Sequence, residues 1–69
     1  MRYNRGDIGD TMRAAQRHAA ADRKVVYVYA RGGGYAIESQ RDAFGQAGFS
    51  IAPSGAWLRI GGLQPIQPR

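Results

Sequence analysis

Three tyrosines and one arginine carry the most suggestive chemistry in this chain: Tyr27, Tyr29, Arg31 and, beyond a glycine run, Tyr35. Phenol rings beside a guanidinium offer large contact area at low entropic cost, the combination that anchors protein interfaces and also stacks single-stranded bases. These four are the expected partner-binding residues. The competing reading buries the rings against Phe44, Trp57 or the C-terminal residues. A second group is cationic: Arg13 and Arg17 stand four apart, with Arg23 and Lys24 close behind, a set suited to phosphate or to an acidic protein face. It is the alternative, nucleic-acid-binding site, while a plain solvated helix face is its ordinary explanation.

Other chemistry is thinner. The chain has no cysteine, which removes disulfides, thiolate metal sites and thiol nucleophiles and fits a reducing compartment. Its one histidine, His18, makes no metal site alone and has no serine or aspartate spaced to form a triad with it. The segment from Arg31 to Glu38 brushes against the RNA-recognition signature, but Gly33 stands where the first aromatic belongs and Glu38 where the last would be. Arg31 with Gly32 and Gly33 is a single RGG element, and Arg5, Gly6 and Asp7 spell an adhesion tripeptide; neither carries weight alone. No phosphate-binding glycine fingerprint is present. The expectation is a binding protein without catalysis, metal or cofactor.

The elements that must position these residues follow from periodicity. Ile8, Met12, Ala15 and Ala19 share one stripe of a helix expected over residues 8–21, with Asp7 as N-cap and Asp10 completing a carboxylate form of the capping box. The polar run Asp22, Arg23, Lys24 ends it. Residues 25–30 are β-branched and aromatic, and strand alternation sends Val26 and Val28 to the helix and Tyr27 and Tyr29 to the opposite face, with Tyr35 expected beside them. Gly32, Gly33 and Gly34 supply the positive φ angles of a hairpin returning through residues 35–39. Phe44 is expected to plug the core from the following loop. A second hairpin joins residues 49–52 to residues 56–60 through Pro53, Ser54 and Gly55. The expected fold is α+β: one N-terminal helix on a three- or four-stranded antiparallel sheet made of two hairpins. Residues 1–62 form the single domain, beginning in a loosely tied basic lead-in, and residues 63–69 a flexible tail.

Composition bounds what such a unit can do. Leu, Ile, Val and Phe supply only 12 of 69 residues, so the core is thin and near the limit at which burial offsets ordering entropy; self-association would help it. The longest strongly apolar stretch, Val25 to Ala30, is far too short to span a bilayer, and the N-terminal residues lack a signal-peptide pattern, so a cytoplasmic protein is expected. Ten basic residues against five acidic give a net charge of +5, and nine of the ten are arginine. Such a surface attracts nucleic acid or acidic protein faces. GC-rich codons would produce the same arginine, alanine and glycine excess.

This small arginine-, alanine- and glycine-rich chain, with one capped helix, a tyrosine-rich hairpin and a closing hairpin, resembles the accessory proteins encoded by phages and prophages of GC-rich bacteria. Some of those inhibit host defence, anti-CRISPR proteins among them. The resemblance implies a non-enzymatic inhibitor acting in the bacterial cytoplasm, with a host protein or ribonucleoprotein complex as partner; the anchors Tyr27, Tyr29, Arg31 and Tyr35 are assigned from the residue types alone. With these anchors, Tyr29→Ala is the substitution expected to weaken the complex by about tenfold or more while sparing the fold. The alternatives are a basic nucleic-acid-binding module using Arg13, Arg17, Arg23 and Lys24, or a self-associating structural subunit such as a homodimer.

Overall fold

The structure is a computed structural model that describes residues 2–4 and 7–61. Strand β1 (Arg2–Asn4) leads into helix α1 (Ile8–Asp22), and strands β2 (Val26–Arg31), β3 (Gly34–Glu38), β4 (Gly48–Ile51) and β5 (Trp57–Ile60) follow. They form one five-stranded sheet in the order β1-β3-β2-β4-β5, every neighbouring pair antiparallel. The α+β class and both hairpins are as the sequence leads one to expect. The sheet is wider by one strand: the backbone of Arg2–Asn4, read as a loose lead-in, pairs with Gly34 to Ala36 as an edge. Three residues without an apolar alternation give no strand signal, and their pairing depends on a distant partner strand. The tail expected over residues 63–69 lies outside the described residues.

Local chemistry sets the connections. Gly32 and Gly33, both at positive φ (50° and 86°), make the two-residue turn that closes β2 on β3 with Arg31 opposite Gly34. Gly34, expected to share this role, is instead the first residue of β3. In the β4–β5 hairpin the Gly55 amide donates to the Ala52 carbonyl (2.9 Å) and the Ala52 amide to that of Ala56 (2.8 Å), with Gly55 at φ 96°. That is a turn over Pro53 and Ser54 closed by a left-handed glycine, the usual three-residue hairpin.

Helix α1 buries Thr11, Ala14, Ala15 and Ala19. Ala15 and Ala19 form the core with Val26, Val28 and Ile51, and Ile8, Met12, Tyr35, Ile37 and Phe49 close around it. Small alanines let the helix axis lie close to the sheet, so a thin set of large side chains suffices to fill the layer. The N-terminus differs from the capping box expected of Asp7 and Asp10. Asp7 occupies the N-cap position, but its side chain makes no cap; the Thr11 hydroxyl donates to the Asp7 carbonyl (3.0 Å), and Asp10 pairs with Arg13 one turn on. A short carboxylate satisfied by a guanidinium on its own helix has little reason to turn back to an amide. At the C-terminus Arg23 sits in the left-handed region (φ 56°), and the Lys24 amide reaches the Ala19 carbonyl (3.2 Å), ending the helix.

Candidate functional site: the two faces of the sheet

Register decides which side chains share a face, because directly opposed residues of an antiparallel pair point the same way. Val28 opposes Ile37 and Phe49, Ala30 opposes Tyr35, and Ile51 opposes both Val26 and Trp57. These belong to the helix side. Tyr27 opposes Glu38 and Ser50, and Tyr29 opposes Ala36 and Gly48, which places them with Arg31 on the other side. The four expected anchors are therefore not brought together. Tyr35 lies across the sheet from Tyr27 and Tyr29 and packs against the helix-side core. The odd number of residues between Tyr29 and Tyr35, together with a two-residue turn, forces this: Tyr35 falls opposite Ala30, not opposite a tyrosine.

The face opposite the helix is not bare. Tyr29 is 1% exposed, although no helix covers it. The connection between β3 and β4 folds across the sheet here, and the Asp42 amide donates to the Tyr29 hydroxyl (2.9 Å). Arg31 lies over the same ring, its Cζ 5.1 Å from the ring centre, while Tyr27 stacks on Tyr29 from the side at 6.4 Å and 14° between planes. The Arg31 guanidinium also meets Glu38 (Nε to Oε2, 3.2 Å), Asp42 (Nη2 to Oδ1, 3.8 Å) and the Gln46 amide oxygen. Asp42 in turn accepts the amides of Phe44 and Gln46 (both 3.0 Å), and the Gln46 side-chain amide donates to the Ala30 carbonyl (2.9 Å). Arg31 and Asp42 thus clamp the loop over Tyr29. Their donors and acceptors are spent internally, which is the ordinary state of polar groups so placed.

Phe44, expected to plug the core, is 97% exposed. The tight turn pinned by the Asp42 carboxylate, with the Gly45 amide on the Asp42 carbonyl (3.1 Å), holds the backbone of this segment on the sheet and turns the ring outward. Composition marks Phe44 as apolar; nothing local marks which way a pinned turn will face it.

The helix side also holds uncommitted surface. Helix α1 packs chiefly on β2 and β3, so the β4–β5 hairpin extends beyond it. Gln16 ties the two together, donating to the Gly55 carbonyl (2.8 Å). On this overhang Trp57 is 54% exposed and meets Phe49 edge to face, ring centres 5.5 Å apart, while Arg59 stands opposite Phe49 in register and is exposed. An open groove of about 450 Å³ runs beside them, floored by Val28, Ala30, Tyr35 and Phe49 and flanked by Arg59 and Ile60. Trp57 and Arg59 carried no advance signal beyond being in a strand. Their exposure depends on where the helix stops covering the sheet, which single-strand periodicity does not encode.

The cationic set divides. Arg13, paired with Asp10, and Arg17 border a shallow groove against Pro53, Ser54 and Gly55, whereas Arg23 and Lys24 lie past the helix end. All four are exposed. His18 is half-buried on α1. Among the described residues no three of His, Cys, Asp and Glu gather as a metal site, and no helix is long and apolar enough to cross a membrane. No family model, curated protein or solved structure matches the chain.

Proposed function

We propose that this chain is a non-enzymatic binding protein that covers a surface of a larger protein or ribonucleoprotein complex, with the overhanging β4–β5 hairpin as its contact surface. The observation that carries this reading is the Phe49, Trp57 and Arg59 cluster: a half-exposed tryptophan seated on a partly buried phenylalanine, beside an exposed guanidinium and next to an open groove. Tryptophan and arginine are the residue types that dominate binding energy at protein interfaces. Tyr29 and Arg31, which sequence alone favours, serve in this reading as the support that fixes the opposite face. Inhibition of a bacterial defence complex, the role of the proteins this chain resembles, is the specific form of the proposal.

The test is capture from a bacterial host lysate with the tagged full chain, with and without nuclease and at low and high salt, using Trp57→Ala and an Arg17→Ala, Arg23→Ala, Lys24→Ala triple variant as controls. Trp57 is half exposed, so its removal should leave the circular dichroism of the fold unchanged. The expected result is one defined protein retained through nuclease and high salt, at least about tenfold depleted with Trp57→Ala and unchanged with the triple variant. Captured nucleic acid that is lost at high salt and with the triple variant would overturn the proposal in favour of the phosphate-binding alternative.

A further inference from the structure

We infer that two copies of this chain pair through the outer edge of β5, joining their sheets into one continuous sheet about a two-fold axis at Leu58. The Ala52 amide bonds to the Ala56 carbonyl, so alternation along the ladder turns Ala56, Leu58 and Ile60 toward β4 and leaves the N–H and C=O groups of Trp57 and Arg59 directed outward. An edge of this kind invites another strand unless it is blocked. Residues 57–60 contain no proline or bulge, carry Arg59 as their single charge, and three of the four are exposed. Gly61 adopts φ 66°, and a Cβ there would lie 2.3 Å from the Gln46 carbonyl oxygen and 2.7 Å from that of Gly45, so the backbone at Gly61 is packed on the loop at the β4 side.

Self-complementarity selects the occupant. In a two-fold antiparallel pair, opposed residues must share a face, so the axis passes through a residue and not between two. An axis at Arg59 would set the only charged residue of the strand against its own copy, which is unfavourable. An axis at Leu58 sets Leu58 against Leu58 of the second copy and Trp57 against Arg59 of the second copy, twice over. Trp57 and Arg59 are the two residues whose backbone groups point outward, so each opposed pair exchanges both of its ladder bonds. Charge is matched at the same time, since each guanidinium lands on an indole instead of on another cation. The axis stands perpendicular to the sheet, so both helices lie on one side and the two Phe49, Trp57 and Arg59 clusters meet at the centre. Such a short strand pair is a modest interface, one whose population depends on concentration.

The test uses the purified chain alone, so its outcome is independent of whether any partner is captured. Sedimentation velocity over a broad micromolar range is expected to show a monomer–dimer equilibrium. Leu58→Asp, which opposes two carboxylates at the axis from a position 59% exposed in the single chain, is expected to raise the dissociation constant by about tenfold or more. Because the natural chain lacks cysteine, a single introduced thiol reads the register directly. At the axis of a non-hydrogen-bonded pair the Cα atoms lie about 4.5 Å apart, within the roughly 4.4–6.8 Å a disulfide spans. Mild oxidation of Leu58→Cys should therefore give a covalent dimer far faster than Ser54→Cys, which is also exposed at the hairpin tip but remote from the axis. A chain that stays monomeric, a dimer indifferent to Leu58→Asp, or cross-linking through Ser54→Cys as readily as through Leu58→Cys would each overturn the inference.

Discussion

Gly48 stands directly opposite Tyr29, and the absence of a side chain there is what lets the tyrosine ring lie flat against the sheet. A Cβ at this position would fall 2.3 Å from the Val28 carbonyl oxygen and 2.6 and 2.9 Å from the Tyr29 ring carbons. The first of these is backbone within the β2–β4 ladder and has no room to yield. Gly48→Ala should therefore destabilise the chain by roughly 2–4 kcal/mol, a large share of the stability of so small a domain, seen as a lowered urea midpoint or loss of the folded state. A midpoint within error of the natural chain would show that the ring does not rest there. Tyr29→Ala removes the same contact from the other side, so it tests the fold and not an interface, contrary to what its place in a tyrosine run implies. At this scale the sequence was legible in type and illegible in direction. Strand alternation placed Tyr27 and Tyr29 on one face correctly, but which ring is buried depends on a loop whose own sequence, from Ser39 to Ala47, has no periodicity to read.

Elements were legible where a local rule determines them. Consecutive glycines at 32 and 33 dictate a hairpin turn, Pro53 to Gly55 dictates another, and the alanine stripe of α1 reports a helix that sits close to its sheet. Edge strand β1 was illegible because three residues acquire strand geometry only by pairing with β3, a contact across some thirty positions. The end of α1 shows what local rules leave unoptimised. Arg23 holds the left-handed conformation that terminates the helix, and an L side chain there is strained by roughly 1 kcal/mol relative to glycine. Its side chain is exposed, and among the described residues no hydrogen bond or ion pair from it supports the fold. Arg23→Gly is expected to raise stability by about 0.5–1 kcal/mol, measurable as a higher thermal midpoint with an unchanged helix signal. A lower midpoint would mean that flexibility gained by the unfolded chain outweighs the relieved strain.

A single helix covers one side of a five-stranded sheet, and the molecule solves the other side with a loop instead of a second layer. This is where sequence reading of the whole fell short: an uncovered tyrosine face calls for a partner, yet the chain supplies its own cover and exposes the β4–β5 overhang in exchange. Arg31 joins β2, β3 and the loop at once, through Glu38, Asp42, Gln46 and the Tyr29 ring. Its side chain is 34% exposed, so solvent screens the ion pairs and their share of stability is small; the hydrogen bonds that order the loop matter more. Arg31→Ala leaves two carboxylates facing each other without a cation and removes the lid of the Tyr29 ring, while every backbone bond of the β2–β3 and β2–β4 ladders stays in place. Amide exchange should then accelerate at Asp42, Phe44 and Gln46, whose hydrogens point to Tyr29 and Asp42, by an order of magnitude or so. The ladder amides of Val26 and Val28 should keep their protection. Acceleration confined to the loop would establish it as a separately opening layer held by one arginine; uniform acceleration across loop and sheet would mean that the loop and the sheet unfold as a single cooperative unit, with Arg31 holding the whole molecule and not its cover alone.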